Sequence, residues 1–215
     1  EGFITESNPG GFSFRIGNQQ VAWTGSTLFL PQDFSAADLV VGAKLEAEGT
    51  LANGVLTASK ISFRENVKLE SDVASGNNSS FTLAGLPGIS VTTNSATDFR
   101  VAVVQNAQVR VRGIEGPNNT VLATRIEDRG SSSNAFLQGP VDTKVGTVIT
   151  ILGISVNTNQ IPDNFPSPDP NFQDVNEQGV TRATFLGLVQ PGTLVKFKGD
   201  LQGQTILWDE AELED

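Results

Sequence analysis

Cysteine, histidine, methionine and tyrosine are all absent from this 215-residue chain. Without cysteine there is no disulfide, no thiolate metal site and no thiol nucleophile. Without histidine the chain lacks the commonest general base and the commonest metal ligand. Without methionine, Glu1 is not an initiator residue, so we expect that a leader was removed before it or was not included. These absences predict a protein that is not an enzyme and that carries no cofactor.

Positive charge is also scarce. The chain has 14 Lys and Arg against 24 Asp and Glu, which gives a net charge of −10. A nucleic-acid binder needs a basic stripe, so we expect no nucleic-acid partner. No run approaches the ~18 consecutive apolar residues of a membrane helix, so no transmembrane segment is predicted. The composition favours an exported bacterial protein that is extracellular or at the cell surface, with the periplasm as the alternative.

Short alternations of apolar and polar residues recur along the whole chain. Examples are Phe12–Ile16, Val109–Val111 and Val195–Phe197. A period of two predicts strands with one buried and one wet face. Between the runs lie turn signals, of which Asn53-Gly54 is the clearest hairpin signal. Ser35–Leu39 alone invites a helix, of about one turn with Ser35 as N-cap. The pattern predicts an all-β protein with almost no helix.

One motif occurs three times. It has a Gly or Asn, and then a Gly seven positions later, with alternating residues between them: Gly42–Gly49, Asn106–Gly113 and Gly192–Gly199. We expect the first position to take a left-handed turn and the last Gly to mark a bulge or sharp bend.

The spacing of this motif divides the chain into three repeats. The predicted repeats are 1–65, 66–130 and 131–215, and the third has a proline-rich insertion at about 157–180. Units of ~65 residues are near the lower limit for independent folding, so we expect the repeats to support each other. Arg129–Asn134 is the best linker candidate.

The order of these segments resembles family 5666 of the bacterial domains of unknown function. The resemblance rests on Gly2–Thr5, Gly11–Phe14, Ala37–Gly42, Lys44–Thr50 and Gly54–Ile61. It implies tandem small β-barrels in exported or lipid-anchored proteins, and it supplies no catalytic residues. The second repeat departs from the pattern at Asn106, and the third departs through its insertion and through Trp208. The fold prediction is three tandem small barrels or barrel-like sandwiches, with an OB-like barrel as one form.

The insertion at 160–180 is the most distinctive segment. Its prolines exclude a central strand and favour extended, polyproline-like backbone. Three interpretations stay open: a solvated surface loop, a contact arm that reaches a neighbouring domain or subunit, and a calcium site. The calcium site would use the side-chain oxygens of Asp163, Asp169, Asn171, Asp174 and Glu177, whose spacing matches no known calcium loop.

Two functions remain. The first is a non-catalytic structural subunit of a cell-surface or extracellular assembly, such as a filament, in which terminal strands add to a neighbour's sheet. It predicts self-association into a homopolymer or contact with other surface proteins. The alternative is a monomeric binding module for a glycan, peptide or partner protein, anchored by Trp23 or Trp208; core packing of both indoles stays open. The interface candidates are Phe3, Ile4, Ile161, Phe165, Phe172, Trp208 and Leu213.

The acidic C-terminus, Asp209–Asp215, offers paired carboxylates of the kind that glycosidases use. We expect instead a solvated last strand with Ala211 and Leu213 facing inward.

Overall fold

Strands make up 53% of the chain, as the alternating pattern predicts. A computed structural model describes residues 1–32 and 34–214. It divides the chain into two compact units, residues 1–65 and 66–215. The all-β prediction is therefore confirmed, while the three-repeat division stays a prediction.

Residues 1–65 form a closed five-stranded barrel. The barrel strands are β1 (Gly2–Asn8), β2 (Ser13–Ile16), β3 (Gln19–Ala22), β5 (Lys44–Ala52) and β6 (Val55–Phe63). A sixth strand, β4 (Leu28–Leu30), lies outside the ring. The ring runs β1-β2-β3-β6-β5 and back to β1, and the short β4 pairs in parallel with β6. Phe14, Val21 and Leu45 are buried in this barrel. The predicted Asn53-Gly54 turn joins β5 to β6, and both residues have positive φ.

The second unit begins with a barrel of the same strand pairing. Its strands are β7 (Val67–Gly76), β8 (Ser80–Leu83), β9 (Ser90–Thr92), β10 (Asp98–Phe99), β11 (Gln108–Gly116) and β12 (Thr120–Asp128). The ring runs β7-β8-β9-β12-β11 and back to β7, and β10 pairs in parallel with β12.

The remaining residues, as far as Glu214, extend this unit without closing a third ring. They form β13 (Asn134–Pro140), β14 (Thr143–Val145), β15 (Val148–Ile151), β16 (Ile154–Asn157), β17 (Phe172–Gln173), α1 (Arg182–Leu188), β18 (Leu194–Gln202) and β19 (Thr205–Leu213). β13 lies between β7 and β18, β19 pairs with β18 and β17, and β14-β15-β16 form a separate sheet. Among the described strands, β16 has no pairing with β19, whereas β3 and β9 pair with β6 and β12.

One hydrophobic core runs through the second unit from Val67 to Leu213. The expected linker 129–134 lies inside this unit, and its first residue is not exposed as a linker would be. The Arg129 side chain is buried and donates hydrogen bonds to the Asp72 carboxylate at 2.5 Å and to the Asn134 carbonyl. Residues 130–133 are exposed and connect β12 to β13, while Arg129 anchors the start of the segment, so its role as a linker between repeats stays a prediction.

The glycines of the repeated motif do what the sequence predicts. The register of each hairpin shifts immediately before the second Gly, at Gly49, Gly113 and Gly199. The first position has a φ of +91° at Gly42, +65° at Asn106 and +85° at Gly192. Each motif therefore begins with a left-handed residue and ends in a β-bulge.

The helical prediction is half right. Ser35 caps a single 3₁₀ turn, Ala36–Asp38, in a capping box. The sequence did not indicate α1, which Thr181 caps by accepting a hydrogen bond from the Thr184 amide at 3.1 Å. This helix buries one side chain, Phe185, which packs against Phe172. Seven residues with one buried position are too few to show a helical period.

Candidate binding surfaces

Three aromatic rings cluster in the first barrel where β2 begins and β3 ends. The Trp23 amide donates to the Phe12 carbonyl at 3.0 Å, which extends the β2–β3 ladder by one pair. The ring centroids of Phe12 and Trp23 are 4.7 Å apart, and those of Trp23 and Phe29 are 6.0 Å apart. We call Phe12, Trp23 and Phe29 the aromatic end.

Phe12 is the unusual member of the aromatic end. Its side chain is 55% exposed, and its φ of +52° places a bulky residue in the left-handed region. Such backbone conformations are costly and concentrate at functional sites. The Trp23 indole N–H is enclosed and has no hydrogen-bond acceptor among the described residues. Because a buried indole N–H normally has a partner, the aromatic end is not optimised for stability alone.

The second barrel has polar residues at the matching positions. Its buried pair Phe81 and Val91 corresponds to Phe14 and Val21, so Ser79 and Thr93 correspond to Phe12 and Trp23. The Thr93 amide donates to the Ser79 carbonyl at 3.2 Å, as Trp23 does to Phe12. The Thr93 hydroxyl donates to the Asn78 carbonyl at 2.6 Å.

The β15–β16 hairpin also has polar residues at the matching positions, Thr147 and Thr158. The Thr158 amide and hydroxyl both donate to the Thr147 carbonyl, at 2.9 and 3.0 Å. Of these three hairpins, the one in the first barrel has aromatic residues at both positions. The hairpin fold therefore does not require aromatic residues there.

The insertion is an ordered loop in the second unit. It leaves the core at Ile161 and returns at Phe172, and both of these side chains are buried. Between them, the Asn164 side-chain amide donates to the Asp169 carbonyl and to the Asn171 side chain, both at 2.9 Å. The Asn171 amide donates back to the Asn164 side chain at 2.9 Å. We call residues 162–170 the proline loop, and these hydrogen bonds the asparagine clasp.

The proline loop presents apolar groups to solvent. Phe165 is 47% exposed, and Pro162, Pro166 and Pro168 are exposed as well. The Phe165–Pro166 peptide bond is cis. No residue of the loop is in a strand or helix, which agrees with the predicted effect of its prolines.

The predicted interface residues are mostly internal. Ile4, Ile161, Phe172 and Leu213 are buried in their own units, so proposing them as surface contacts was wrong. Each is the inward member of an alternating strand or an anchor of the insertion, and sequence alternation alone does not say which apolar residues stay outside.

The other three candidates keep some surface. Phe3 is partly buried, and the Lys44 ammonium lies 5.3 Å from its ring centroid. Trp208 is partly buried and packs against Phe197 at 6.0 Å, in keeping with core packing of that indole. Phe165 is the exposed one of the set.

The calcium hypothesis has no support in the geometry. Asp174 accepts hydrogen bonds from the Asn176 and Gln178 amides, and Asp163 accepts one from the Arg182 amide. Within residues 1–32 and 34–214, no three acidic side chains are placed so that they could hold a metal ion. Asp169, Asn171 and Glu177, the other proposed ligands, belong to turns and to the asparagine clasp.

Each terminal strand is fully paired on one side and partly paired on the other. β1 pairs with β2, and with β5 at Gly2 and Phe3. β19 pairs with β18 along its length, and with β17 at Ala211 and Glu212. Strand addition by a terminal strand stays a prediction.

Charges on the last strand are paired across the sheet. Lys196 forms ion pairs with Glu212 and Glu214, and Lys198 forms an ion pair with Glu210. Burial alone would lower the pKa of Lys196, but the hydrogen bonds to its two glutamates outweigh it, and the pKa is raised. Ala211 and Leu213 are buried, so the prediction of a solvated last strand holds for the described residues. Asp215 lies outside the described residues.

A pair of carboxyl groups that the sequence did not reveal lies in the second unit. Burial, together with the nearby charge of Asp142, raises the pKa of Glu115 to about 7. The Glu115 amide donates to Asn66 at 3.0 Å, and Asp142 accepts from the Gly153 amide at 3.1 Å. Glu115 lies on β11, and Asp142 lies between β13 and β14.

Sequence reasoning considered Trp23 but missed Phe12 and Phe29. An alignment of the repeats could have identified Phe12, because the first repeat has an aromatic residue at the position where the second repeat has Ser79. Glu115 left no such signal, since its burial depends on turns distant in sequence.

The strand order and the bulged hairpins, which recur in two closed five-stranded barrels, define a class, that of tandem small β-barrel domains. The chain belongs to the family described as domain of unknown function (DUF5666), which matches residues 1–62 and again 71–127. The expected family is thus confirmed, and residues 128–215 lie outside both matches. Searches of curated proteins and of solved structures returned no significant match. Among the described residues, no helix has the length and hydropathy needed to cross a bilayer.

Proposed function

We propose that this chain is a non-catalytic, exported binding module made of three tandem copies of one OB-like barrel, and that the aromatic end is its ligand site. The ligand class we favour is an extended, proline-containing peptide segment. The single observation behind this proposal is that the exposed, left-handed Phe12 packs against Trp23, where the second barrel has Ser79 and Thr93.

Support for a third copy comes from shared details after residue 130. β13, β18 and β19 pair as β7, β11 and β12 do, and the bulge before Gly199 matches those before Gly49 and Gly113. β17 pairs in parallel with the last strand, as β4 and β10 do. The third copy would then be an opened barrel, since β16 and β19 are not paired among the described residues.

The chemistry of the aromatic end favours a peptide. Proline-rich segments dock on aromatic surfaces because their rings stack well and they lose little conformational entropy. An indole N–H is a donor only, and a peptide carbonyl that displaces the groups around it would supply the missing acceptor. Sugars also stack on aromatic rings, so a neutral oligosaccharide is the comparison ligand.

Calorimetric titration with a short polyproline peptide tests the proposal. The double variant Phe12→Ser/Trp23→Thr installs the residues of the second barrel. We expect it to bind at least ~10-fold more weakly than wild type, the effect of losing about 1.4 kcal/mol. Phe99→Ser is the matched control, because Phe99 is 38% exposed and occupies the position of Phe29 in the second barrel.

Two results would overturn the proposal. One is equal affinity of wild type and the double variant for the peptide. The other is that wild type binds neither the peptide nor a neutral oligosaccharide. Preference for the oligosaccharide would replace the peptide as the ligand class. Export is tested separately, by locating the native protein in the cytoplasmic, periplasmic and extracellular fractions.

A further inference from the structure

Two exposed apolar features of this chain are additions to a common barrel framework. The aromatic end occurs in the first barrel, where the matching residues elsewhere are Ser79, Thr93, Thr147 and Thr158. The proline loop lies in the stretch between β16 and β17, which is longer than the matching connections β3–β4 and β9–β10. Each feature therefore needs an explanation that the fold itself does not give.

We propose that the proline loop of one copy docks on the aromatic end of another copy, so that the protein associates head to tail. This inference rests on the proposed function of the aromatic end and names its occupant. The two surfaces differ, so the contact is heterologous, and it propagates unless the geometry closes a ring.

The chemistry of the two surfaces is complementary. The loop offers the exposed rings of Pro162, Pro166 and Pro168 beside the half-exposed Phe165. The aromatic end offers the exposed Phe12 ring beside Trp23. Proline-rich segments and aromatic surfaces are a recurring pair in peptide recognition.

The loop is held in shape before it binds. The asparagine clasp joins Asn164 to Asn171 across its base, and Asp163 accepts from the Arg182 amide at 3.0 Å. A preorganised loop loses less conformational entropy on docking than a flexible one. An ordered loop that keeps Phe165 in solvent is better suited to an intermolecular contact than to the stability of its own unit.

The test uses two full-length variants that each lack one surface. The first is Phe12→Ser/Trp23→Thr. The second is Phe165→Ser/Pro166→Ser/Pro168→Ser, which keeps the asparagine clasp. Sedimentation velocity over a range of concentrations reports the mass of each protein, and circular dichroism confirms that each is folded.

We expect wild type to grow with concentration beyond a dimer and each variant alone to stay monomeric. An equal mixture of the two should stop at the dimer, because only one pairing of intact surfaces remains. The control Phe99→Ser should assemble like wild type. If the aromatic variant fails to fold, the loop variant mixed with wild type should still cap assemblies and reduce their mean size.

The inference is overturned if wild type stays monomeric throughout, or if it assembles and neither variant changes that. A monomeric wild type that binds polyproline through Trp23 would refute self-docking while leaving the proposed function intact. Assembly that depends on both surfaces, without binding of free polyproline, would support the inference and correct the ligand assigned to the isolated site.

Discussion

Single glycines determine where each long hairpin bends. A Cβ at Gly49 would lie 2.0 Å from the Thr57 carbonyl oxygen, and one at Gly199 would lie 2.3 Å from that of Leu207. These distances are far inside van der Waals contact, and backbone atoms cannot move aside as a side chain can. The bulge therefore requires glycine for close approach, independently of φ.

We predict that Gly49→Ala lowers the free energy of unfolding by about 2–4 kcal/mol, the range of backbone and overpacking defects. Gly25→Ala is the control, because nothing lies within 4 Å of its added Cβ. We expect that control to change stability by less than ~0.5 kcal/mol. Urea unfolding of residues 1–65 or of the full chain measures both, and equal effects would show that the bulge does not need glycine.

The bulge glycines were predictable from the sequence, because a Gly recurs at the same position of the motif in all three copies. The aromatic end was only partly predictable. Trp23 is conspicuous as one of 2 tryptophans, but the exposure of Phe12 follows from its left-handed backbone, which the period-two pattern does not encode.

Among the elements, the turn of the β15–β16 hairpin lies close to the turn of the β11–β12 hairpin. Leu152 at its turn is buried, and a Cβ on Gly153 would meet the Asn119 side chain at 2.4 Å. Glu115 and Asp142 bring two carboxyl groups into this junction. We therefore expect the stability of this junction to depend on pH.

Glu115 should make the second unit less stable as the pH rises. Its pKa is about 7 in the folded chain, against about 4.5 for an ordinary glutamate. The folded state holds the proton more tightly, so its contribution to stability is present below about pH 4.5 and is lost as the pH rises to about 7. Glu115→Gln should remove this dependence and stabilise the protein at pH 8 by roughly 2 kcal/mol.

Unfolding of wild type and Glu115→Gln at pH 5 and pH 8 measures the effect. The difference between the two proteins should be larger at pH 8 than at pH 5. The exposed Glu177→Gln is the control variant. If the pKa of Glu115 were that of an ordinary glutamate, Glu115→Gln would change the stability by the same amount at pH 5 and at pH 8.

Elements formed by alternating sequence were predictable, since one buried face per strand leaves a clear period. α1 and the unclosed third ring were not. The helix is too short to show a period, and ring closure depends on where β16 lies, which its own residues do not specify.

At the scale of the whole molecule, the second unit shares one core between its two halves. Residues 68–70 of β7 pair with β13, and the same strand pairs with β11 on its other side. A Cβ on Gly85 would meet Ile206 at 2.6 Å, so the β18–β19 hairpin also packs on the second barrel. A chain cut after residue 130 would expose these surfaces.

We predict that fragments 1–65 and 66–215 each unfold cooperatively, and that fragment 66–130 is markedly less stable than 66–215. The reason is that small barrels bury too little surface alone, and this one also loses a strand partner. Thermal unfolding followed by circular dichroism compares the three. Equal midpoints for 66–130 and 66–215 would show that the halves are energetically independent.

Trp23 itself gives the most direct test of the central claim, that the aromatic end binds a proline-containing segment. In the Trp208→Phe variant, Trp23 is the remaining tryptophan, and its emission reports that site alone. We predict a saturable spectral shift on titration with polyproline, and loss of that shift in the additional variant Phe12→Ser. An emission spectrum that excess polyproline leaves unchanged would show that the aromatic end does not bind such a segment.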